Sequence, residues 1–294
     1  MASAQLRDTR RRIKSVEATK KITRAMELIA ASRIPKAQAR VLASQPYTAK
    51  LIEVIENVGA AGAGSSHALL ERREVKTVGV LIVTSDRGMA GAYASNIIRL
   101  AETRIVELQK TGVEVAVYAV GKKAQSYFRY RGYRIEQAYL GVTDTPGYGN
   151  ARAIANTAMA AYAEGRIDSL ETFYTHYQTA MRQVPVQREM LPITPPESTG
   201  AGEGSVSYEF EPSPEEILDR LLPRYVEANI FNILLEASAS EHSARRRAMK
   251  AATDNADELI RTLSIQANRA RQAEITTAIT EIVGGAEALA EGAL

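Results

Sequence analysis

Apolar side chains recur at spacings of three and four residues near both ends of the chain, which predicts a long amphipathic helix at each end. The C-terminal helix is expected over residues 214–294, with Ser213 as its N-cap and Pro214 as its first residue. Roughly 75 helical residues at about 1.5 Å each would form a rod on the order of 110 Å long. A compact domain of this chain length is narrower, so we expect the rod to need a partner along its length. The positions that carry this pattern are Ile217, Leu218, Leu221, Leu222, Tyr225, Leu259, Leu263, Ile275, Ile279 and Ile282.

The N-terminal helix is predicted over residues 4–58. Two prolines interrupt it, Pro35 and Pro46, and an interior proline costs about 3 kcal/mol, so we expect a kink near each or a break at Pro46. Two long amphipathic helices at opposite ends of one chain predict an antiparallel coiled coil with the middle of the chain inserted between them. The predicted apolar stripe of this helix is Ile13, Val16, Ile22, Met26 and Ile29.

Between the two helices, after a glycine-rich loop at residues 59–66, the pattern changes to alternating strands and helices. Strands are predicted at 77–84, 113–120, 133–140, 169–178 and 183–192, and helices at 90–110, 122–131 and 150–164. This order predicts a mostly parallel, Rossmann-like sheet with helices on both faces and a final hairpin. The predicted fold class is therefore α/β: a discontinuous coiled-coil shaft (1–70 and 209–294) with an inserted α/β domain (75–194). Residues 195–208 are expected to form a linker or mobile loop, with a short strand near 205–210.

Composition narrows the functional classes. The chain of 294 residues contains no cysteine, which excludes disulfides, thiol catalysis and cysteine metal sites. No apolar run approaches the roughly 18 residues of a membrane span, so we expect a soluble chain that reaches a membrane only through other proteins. The net charge is only +3, but residues 1–60 carry twelve Lys or Arg against five Asp or Glu. That bias fits an acidic partner or nucleic acid, or simply a solvated helix face.

The turn after the first predicted strand, residues 84–91, is the best candidate for a nucleotide site, because it places glycines near a helix N-terminus. It lacks both the G-x-G-x-x-G and the G-x-x-x-x-G-K-[ST] order. We therefore favour a tight strand-to-helix turn in which Asp86 caps the following helix, and a ligand site is the alternative. His67, His176 and His242 have no metal-ligand spacing to one another or to acids, and no nucleophile and base pair stands out. We predict no catalytic site, no cofactor and no metal.

Residues 236–256 of the C-terminal helix are almost entirely small or charged, which predicts a thin coiled coil. We call Arg245, Arg246, Arg247 and Lys250 the basic collar, and we expect all four to point outward, where a ring of partner groups could grip them. The alternative is that residues 236–256 are simply a polar, narrow stretch of the coiled coil with no special role. Residues 282–294 are apolar but small, and we expect a sleeve formed by another protein to cover them.

Motifs spread over nearly the whole chain closely resemble the gamma-subunit family of rotary (F-type) ATP synthases, which form the central stalk of that machine. The resemblance rests on residues 13–16 (IKSV), 19–27 (TKKITRAME), 30–32 (AAS), 84–88 (TSDRG), 90–93 (AGAY), 240–242 (SEH), 248–250 (AMK), 252–256 (ATDNA), 270–276 (ARQAEIT), Glu281 and 285–286 (GA).

The resemblance implies a rotor shaft that threads a hexamer of alternating alpha and beta subunits. The α/β domain would be a foot on the membrane ring of c subunits, beside the epsilon subunit. One copy per complex would couple proton-driven rotation to ATP synthesis or hydrolysis at the alpha/beta sites, without a catalytic site of its own. The location implied is peripheral, at the cytoplasmic face of a bacterial plasma membrane.

The resemblance and the charge pattern together give candidate contact residues. The shaft contacts are expected at Lys20, Lys21, Met26, Arg33, Arg245, Arg246, Arg247, Lys250 and Asp254. A bearing at the tip is expected at Gly285, Ala286 and Leu289, and a turn of the foot domain at Asp86, Arg87 and Gly88. Two other classes remain open: a basic coiled-coil protein that binds nucleic acid or acts as a scaffold, and an α/β enzyme with helical arms.

Overall fold

The computed structural model describes residues 2–58, 67–194 and 213–291, which divide into two compact units. One unit comprises Met1–Ile29 and Arg246–Leu294, and the other is Ala30–Arg245. Two long helices, α1 (Ala2–Val58) and α5 (Pro214–Glu291), begin and end the described chain. The glycine-rich loop, the proposed linker and the short strand near residue 205 lie outside the described residues.

The unit formed by residues 30–245 contains a five-stranded mixed sheet in the order β3-β2-β1-β4-β5. Its strands are β1 (Thr77–Val83), β2 (Glu114–Val120), β3 (Ile135–Tyr139), β4 (Ser169–Tyr177) and β5 (Gln183–Leu191). The central strand β1 pairs in parallel with β2 and β4, whereas β5 returns antiparallel to β4. The predicted mostly parallel sheet with a final hairpin is confirmed.

Both faces of the sheet are covered, and for this reason β1 is apolar at nearly every position. Val80 and Ile82 face a core made with α2 (Tyr93–Lys110) and α3 (Lys122–Tyr130). Leu81 and Val83 face the opposite core, to which α4 (Tyr148–Ala163), the end of α1 and the first third of α5, as far as Ala237, contribute. This three-layer arrangement fixes the turns at the carboxyl ends of the strands.

Helix α1 is continuous through both of its prolines, so the alternative of a break at Pro46 is wrong. Pro35 and Pro46 are both exposed, whereas Ile34 and Thr48 nearby are buried. A proline on the solvent side leaves its unpaired carbonyl four residues earlier accessible to water, which lowers the cost of keeping the helix intact.

In the unit formed by residues 1–29 and 246–294, α1 and α5 pair antiparallel, as predicted. The hydroxyls of Thr23 and Thr253 lie 2.8 Å apart, and Lys20 forms an ion pair with Asp257. Residue numbers thus fall along α1 where they rise along α5, as expected for antiparallel helices. Leu263 is buried along this seam, whereas Leu259 is 47% exposed.

The predicted apolar stripe of α1 was only partly correct. Ile13 and Val16 are half-buried on the seam, but Ile22 is 61% exposed and Ile29 is 54% exposed. Polar side chains occupy the inward positions instead, with Thr23 and Glu27 both buried. The predicted stripe of α1 was wrong at these positions because small and polar residues fill part of its inward face. Apolar character therefore does not identify that face.

Candidate functional site

Arg245, the first residue of the basic collar, does not point outward as expected. It is 8% exposed, and its Nη2 lies 2.5 Å from Oε1 of Glu241 and 3.4 Å from the carbonyl oxygen of Gly88. Burial raises the pKa of the Glu241 carboxyl, and the charge and hydrogen bond of Arg245 act against that rise. The expectation for Arg245 was wrong because a guanidinium can be buried where a carboxylate and a backbone carbonyl receive it.

The other three members of the collar are exposed. Arg246 and Arg247 present their side chains to solvent, and Lys250 reaches Asp254 at 3.3 Å along the same helix. An exposed pair at this spacing contributes only about 0.3–0.5 kcal/mol, so Lys250 can exchange Asp254 for another acid at little cost. These three cations can receive acidic groups of a partner.

On the facing stretch of α1, the predicted contact residues have different surroundings. Lys21 is exposed and Met26 is half-buried. Lys20 is engaged by Asp257 across the helix pair, although both side chains keep substantial exposure. Of the two lysines, Lys21 therefore offers the more accessible charge.

Arg33 belongs to the unit formed by residues 30–245, where it meets an acid that the sequence did not point to. Its Nη1 lies 2.5 and 2.6 Å from the two carboxylate oxygens of Asp144. Burial would raise the pKa of Asp144, but Arg33, with His242 and Arg87, outweighs it and leaves that pKa below its ordinary value. The two residues are 111 positions apart, and no local pattern marks such a pair.

The turn after β1 is built around Asp86, but not in the role expected from sequence. Its carboxylate accepts hydrogen bonds from the backbone N–H of Lys122 at 3.1 Å and from the hydroxyl of Thr143 at 3.0 Å. It therefore caps α3 and ties the turn to the loop after β3. Helix α2, which the sequence placed from residue 90, begins only at Tyr93, because Met89 and Gly91 have φ values of 61° and 59°. Arg87 and Gly88 lie in the same turn, and Arg87 is largely exposed.

At the end of α5, Gly285 and Ala286 are exposed, and the side chain of Leu289 lies outside the described residues. Just before them, Ile275 is 51% exposed, Ile279 55% and Ile282 72%. These three isoleucines follow one another at spacings of four and three, so they form an apolar stripe along one side of the helix.

The described residues contain no group of three His, Asp or Glu side chains that could hold a metal ion. The histidines instead contact single acids: His67 lies 3.6 Å from Asp219, and His176 lies 2.5 Å from Glu236. Within residues 2–58, 67–194 and 213–291, no helix has the length and apolar character that a membrane crossing requires.

In chain order, a mixed sheet and its helices follow one long helix and precede another, and these two long helices pair antiparallel. This arrangement defines a coiled-coil protein with an inserted α/β domain. A profile of the family described as ATP synthase matches residues 5–289. The ATP synthase gamma chain of Parafrankia sp. (strain EAN1pec) is 48% identical over 99% of this chain and 100% of its own length. That of Streptomyces griseus is 50% identical over 98% and 97% of the two chains. The chain belongs to the gamma-chain family of ATP synthases.

Solved structures share the fold. A chain of the Euglena gracilis mitochondrial ATP synthase (OSCP/F1/c-ring) superimposes with a TM-score of 0.71 at 14% identity, covering 99% of this chain and 96% of its own. A chain of the Tetrahymena thermophila enzyme, from its central stalk and c-ring, gives a TM-score of 0.60 at 22% identity, covering 79% and 99%.

Proposed function

We propose that this chain is the central rotor shaft that turns inside a hexamer of alpha and beta subunits. One observation carries the proposal. Ile275, Ile279 and Ile282 of α5 are each more than half exposed, and an apolar stripe of this kind requires cover from another protein. A sleeve of alpha and beta subunits would supply that cover. Gly285, Ala286 and Leu289 would then form the bearing at the tip.

Torque would pass through packing and through exposed charges. Arg246, Arg247, Lys250 and Lys21 are exposed and would meet acidic loops of the hexamer. Lys20, Met26, Arg33 and Asp254 would be further contacts. Arg245 acts inside the chain, where it holds the turn at Gly88 against α5. Asp86, Arg87 and Gly88 shape that turn of the foot domain.

The remaining features of the proposal concern the assembly. The foot domain would stand on the ring of c subunits beside epsilon, with one copy of the chain per complex. Proton-driven rotation of the ring would be coupled to ATP synthesis or hydrolysis at the alpha/beta sites, and this chain would contribute no catalytic group. The complex would lie at the cytoplasmic face of a bacterial plasma membrane, with this chain attached only through its partners.

Co-assembly with purified alpha and beta subunits tests the proposal. We expect a complex with one copy of this chain, in which ATP hydrolysis turns a bead attached to the foot domain. Removal of residues 285–294 should lower the yield of the complex without abolishing rotation, because the shaft below the tip still contacts the hexamer. Co-purification with nucleic acid in a salt-sensitive complex, in place of alpha and beta, would contradict the proposal.

A further inference from the structure

A pocket of about 500 Å³ opens beside the turn that follows β1. Among the residues that line it are Ser85, Gly88, Gly91, Ser95, Lys123 and Tyr130. The pocket thus lies between this turn, the first turn of α2 and one side of α3. Its volume falls in the range of about 300–1,000 Å³ that is typical of small-molecule sites, and it lies beyond the carboxyl end of a central parallel strand, where α/β folds commonly bind ligands.

One end of this pocket favours an anion. The N-cap of α2, Ala92, makes no side-chain capping hydrogen bond, and Ala94 and Ser95 of the first helical turn line the pocket. A helix N-terminus attracts negative charge through its free N–H groups and its dipole. Arg87 and Lys123 also line the pocket and carry positive charge. The Arg87 guanidinium lies 3.8 Å from the Asp144 carboxylate, so Lys123 is the cation more available to a ligand.

The N-terminus of α3, by contrast, is already occupied. The backbone N–H groups of Lys122, Lys123 and Ala124 donate to the Asp86 carboxylate, the Ser85 carbonyl and the Thr84 hydroxyl, respectively. The Asp86 carboxylate therefore already offsets the positive end of the α3 dipole. The helix N-terminus that remains able to attract an anion to the pocket is that of α2.

A second, independent observation comes from Ser85. This residue is 1% exposed and lines the pocket, and its Oγ has no hydrogen-bond partner within the described part of the chain. Buried hydroxyls are nearly always paired, so an unpaired one at the wall of a pocket indicates a missing partner. An oxygen of a bound anion would accept the hydrogen bond that Ser85 can donate.

The other end of the pocket is aromatic. The ring of Tyr127 is fixed by a 2.6 Å hydrogen bond from its hydroxyl to Glu102, whereas Tyr130 is 87% exposed at the rim. Exposed aromatic rings of this kind stack on the flat faces of planar ligands, as they do on the bases of single-stranded nucleic acids. The pocket therefore combines an anion site with a surface for a planar ring.

We propose that this pocket binds a phosphate monoester that carries a planar ring, the chemistry of a mononucleotide. The phosphate lies at the N-terminus of α2, within reach of Lys123 and the Ser85 hydroxyl, and the ring stacks on Tyr130. The turn does not wrap a phosphate chain as a G-x-x-x-x-G-K-[ST] loop does, so the site holds a ligand without the means to hydrolyse it.

Calorimetric titration of the purified full chain with AMP, inorganic phosphate and adenosine tests the proposal. We expect AMP to bind, phosphate to compete with it, and adenosine to bind at least tenfold more weakly than AMP. Lys123→Gln should weaken AMP and phosphate at least fivefold, and Ser85→Ala should weaken both. Tyr130→Ala should reduce AMP binding to the level of phosphate and leave phosphate unchanged.

Lys122→Gln is the matched control, because Lys122 is an exposed neighbour on the same helix that does not line the pocket. It should change AMP binding less than twofold. Equal losses at Lys122 and Lys123 would indicate diffuse attraction to basic surface and overturn the site. Adenosine binding as tight as AMP, or no AMP binding by a chain that still assembles with alpha and beta, would overturn it as well.

Discussion

At the scale of single residues, the turn after β1 depends on a close approach that only glycine permits. Gly121 precedes α3 with φ of 90°, and a Cβ there would lie 2.9 Å from the backbone carbon of Ser85. This proximity lets Ser85 and Asp86 accept hydrogen bonds from the first turn of α3. The glycine thus holds together the wall of the pocket and the cap of the helix.

Gly121→Ala should consequently destabilise the chain more than Gly112→Ala. Both positions have positive φ, 90° and 81°, but a Cβ at Gly112 meets nothing within 4 Å. We expect about 1–2 kcal/mol of backbone strain for Gly112→Ala, and about 1–3 kcal/mol more for Gly121→Ala from the clash. Urea unfolding of the two variants measures the difference, and equal losses would contradict a packing role for Gly121.

A second residue-scale prediction concerns pH. Burial lowers the pKa of His242 below its ordinary value of 6.5; Asp144 acts to raise it, and Arg245 and Arg33 act with burial to lower it. The unfolded chain therefore binds the proton more readily than the folded one. The stability contributed by neutral His242 is fully present above about pH 6.5 and is lost as the pH falls through the lowered pKa.

His242→Gln should accordingly flatten the loss of stability just below pH 6.5 relative to the parent chain. Thermal unfolding between pH 5 and 8 measures this slope; these limits span roughly one and a half units on either side of an ordinary histidine pKa. An unchanged slope would show that His242 does not titrate differently in the folded chain.

At the scale of elements, α1 shows how a helix keeps two interior prolines. Residues at alternating spacings of three and four are buried or half-buried from Leu6 to Val58, the repeat of a coiled-coil seam. Pro35 and Pro46 fall outside that repeat, on the exposed side. Each proline costs one backbone hydrogen bond but displaces no inward-facing side chain.

Pro35→Ala should therefore stabilise the chain by roughly 1–3 kcal/mol, less than the full host–guest cost because the packing has adapted to the proline. The gain arises from the restored N–H donor to the carbonyl of Ala31. Pro46→Ala, also exposed within the same helix, should shift the urea midpoint in the same direction. Unchanged midpoints in both variants would mean that neither proline strains the helix.

At the scale of the whole molecule, the proposed function places the exposed cations of the basic collar against acidic partner loops. Replacing Arg246, Arg247 and Lys250 together by Ala should leave assembly with alpha and beta intact, because in the proposed complex the exposed apolar stripe of α5 would supply the main contact. ATP hydrolysis by the complex should fall, with each lost exposed pair worth about 0.2–1 kcal/mol. Added salt should lower the activity of the parent complex in the same direction.

The matched control for that variant is Arg245→Ala, which removes a buried charge and not a partner contact. It should lower the stability of the isolated chain, because Glu241 would remain buried without its cation. The triple variant should leave that stability nearly unchanged. Parent-like turnover of the triple variant at low salt would show that these cations form only a solvated face.

The sequence by itself determined which elements form and nearly where they end. Periodicities of two and of three to four are local properties, so β1, β2 and α3 lie within a residue or two of their predicted bounds. The inserted sheet and the antiparallel helix pair followed from the order of those elements. The family resemblance came from short motifs that are also local.

The tertiary structure alone decided which groups meet. Arg33 and Asp144 form an ion pair although they are 111 positions apart. The buried Arg245 donates a hydrogen bond to the carbonyl of Gly88, and Asp86 caps a helix that begins 36 positions later. The burial and the ion pairing of these side chains depend on partners that are distant in sequence. A local pattern of apolar and polar residues does not identify such partners. The phase of the α1 seam has the same origin, because polar residues such as Thr23 face inward only where Thr253 receives them.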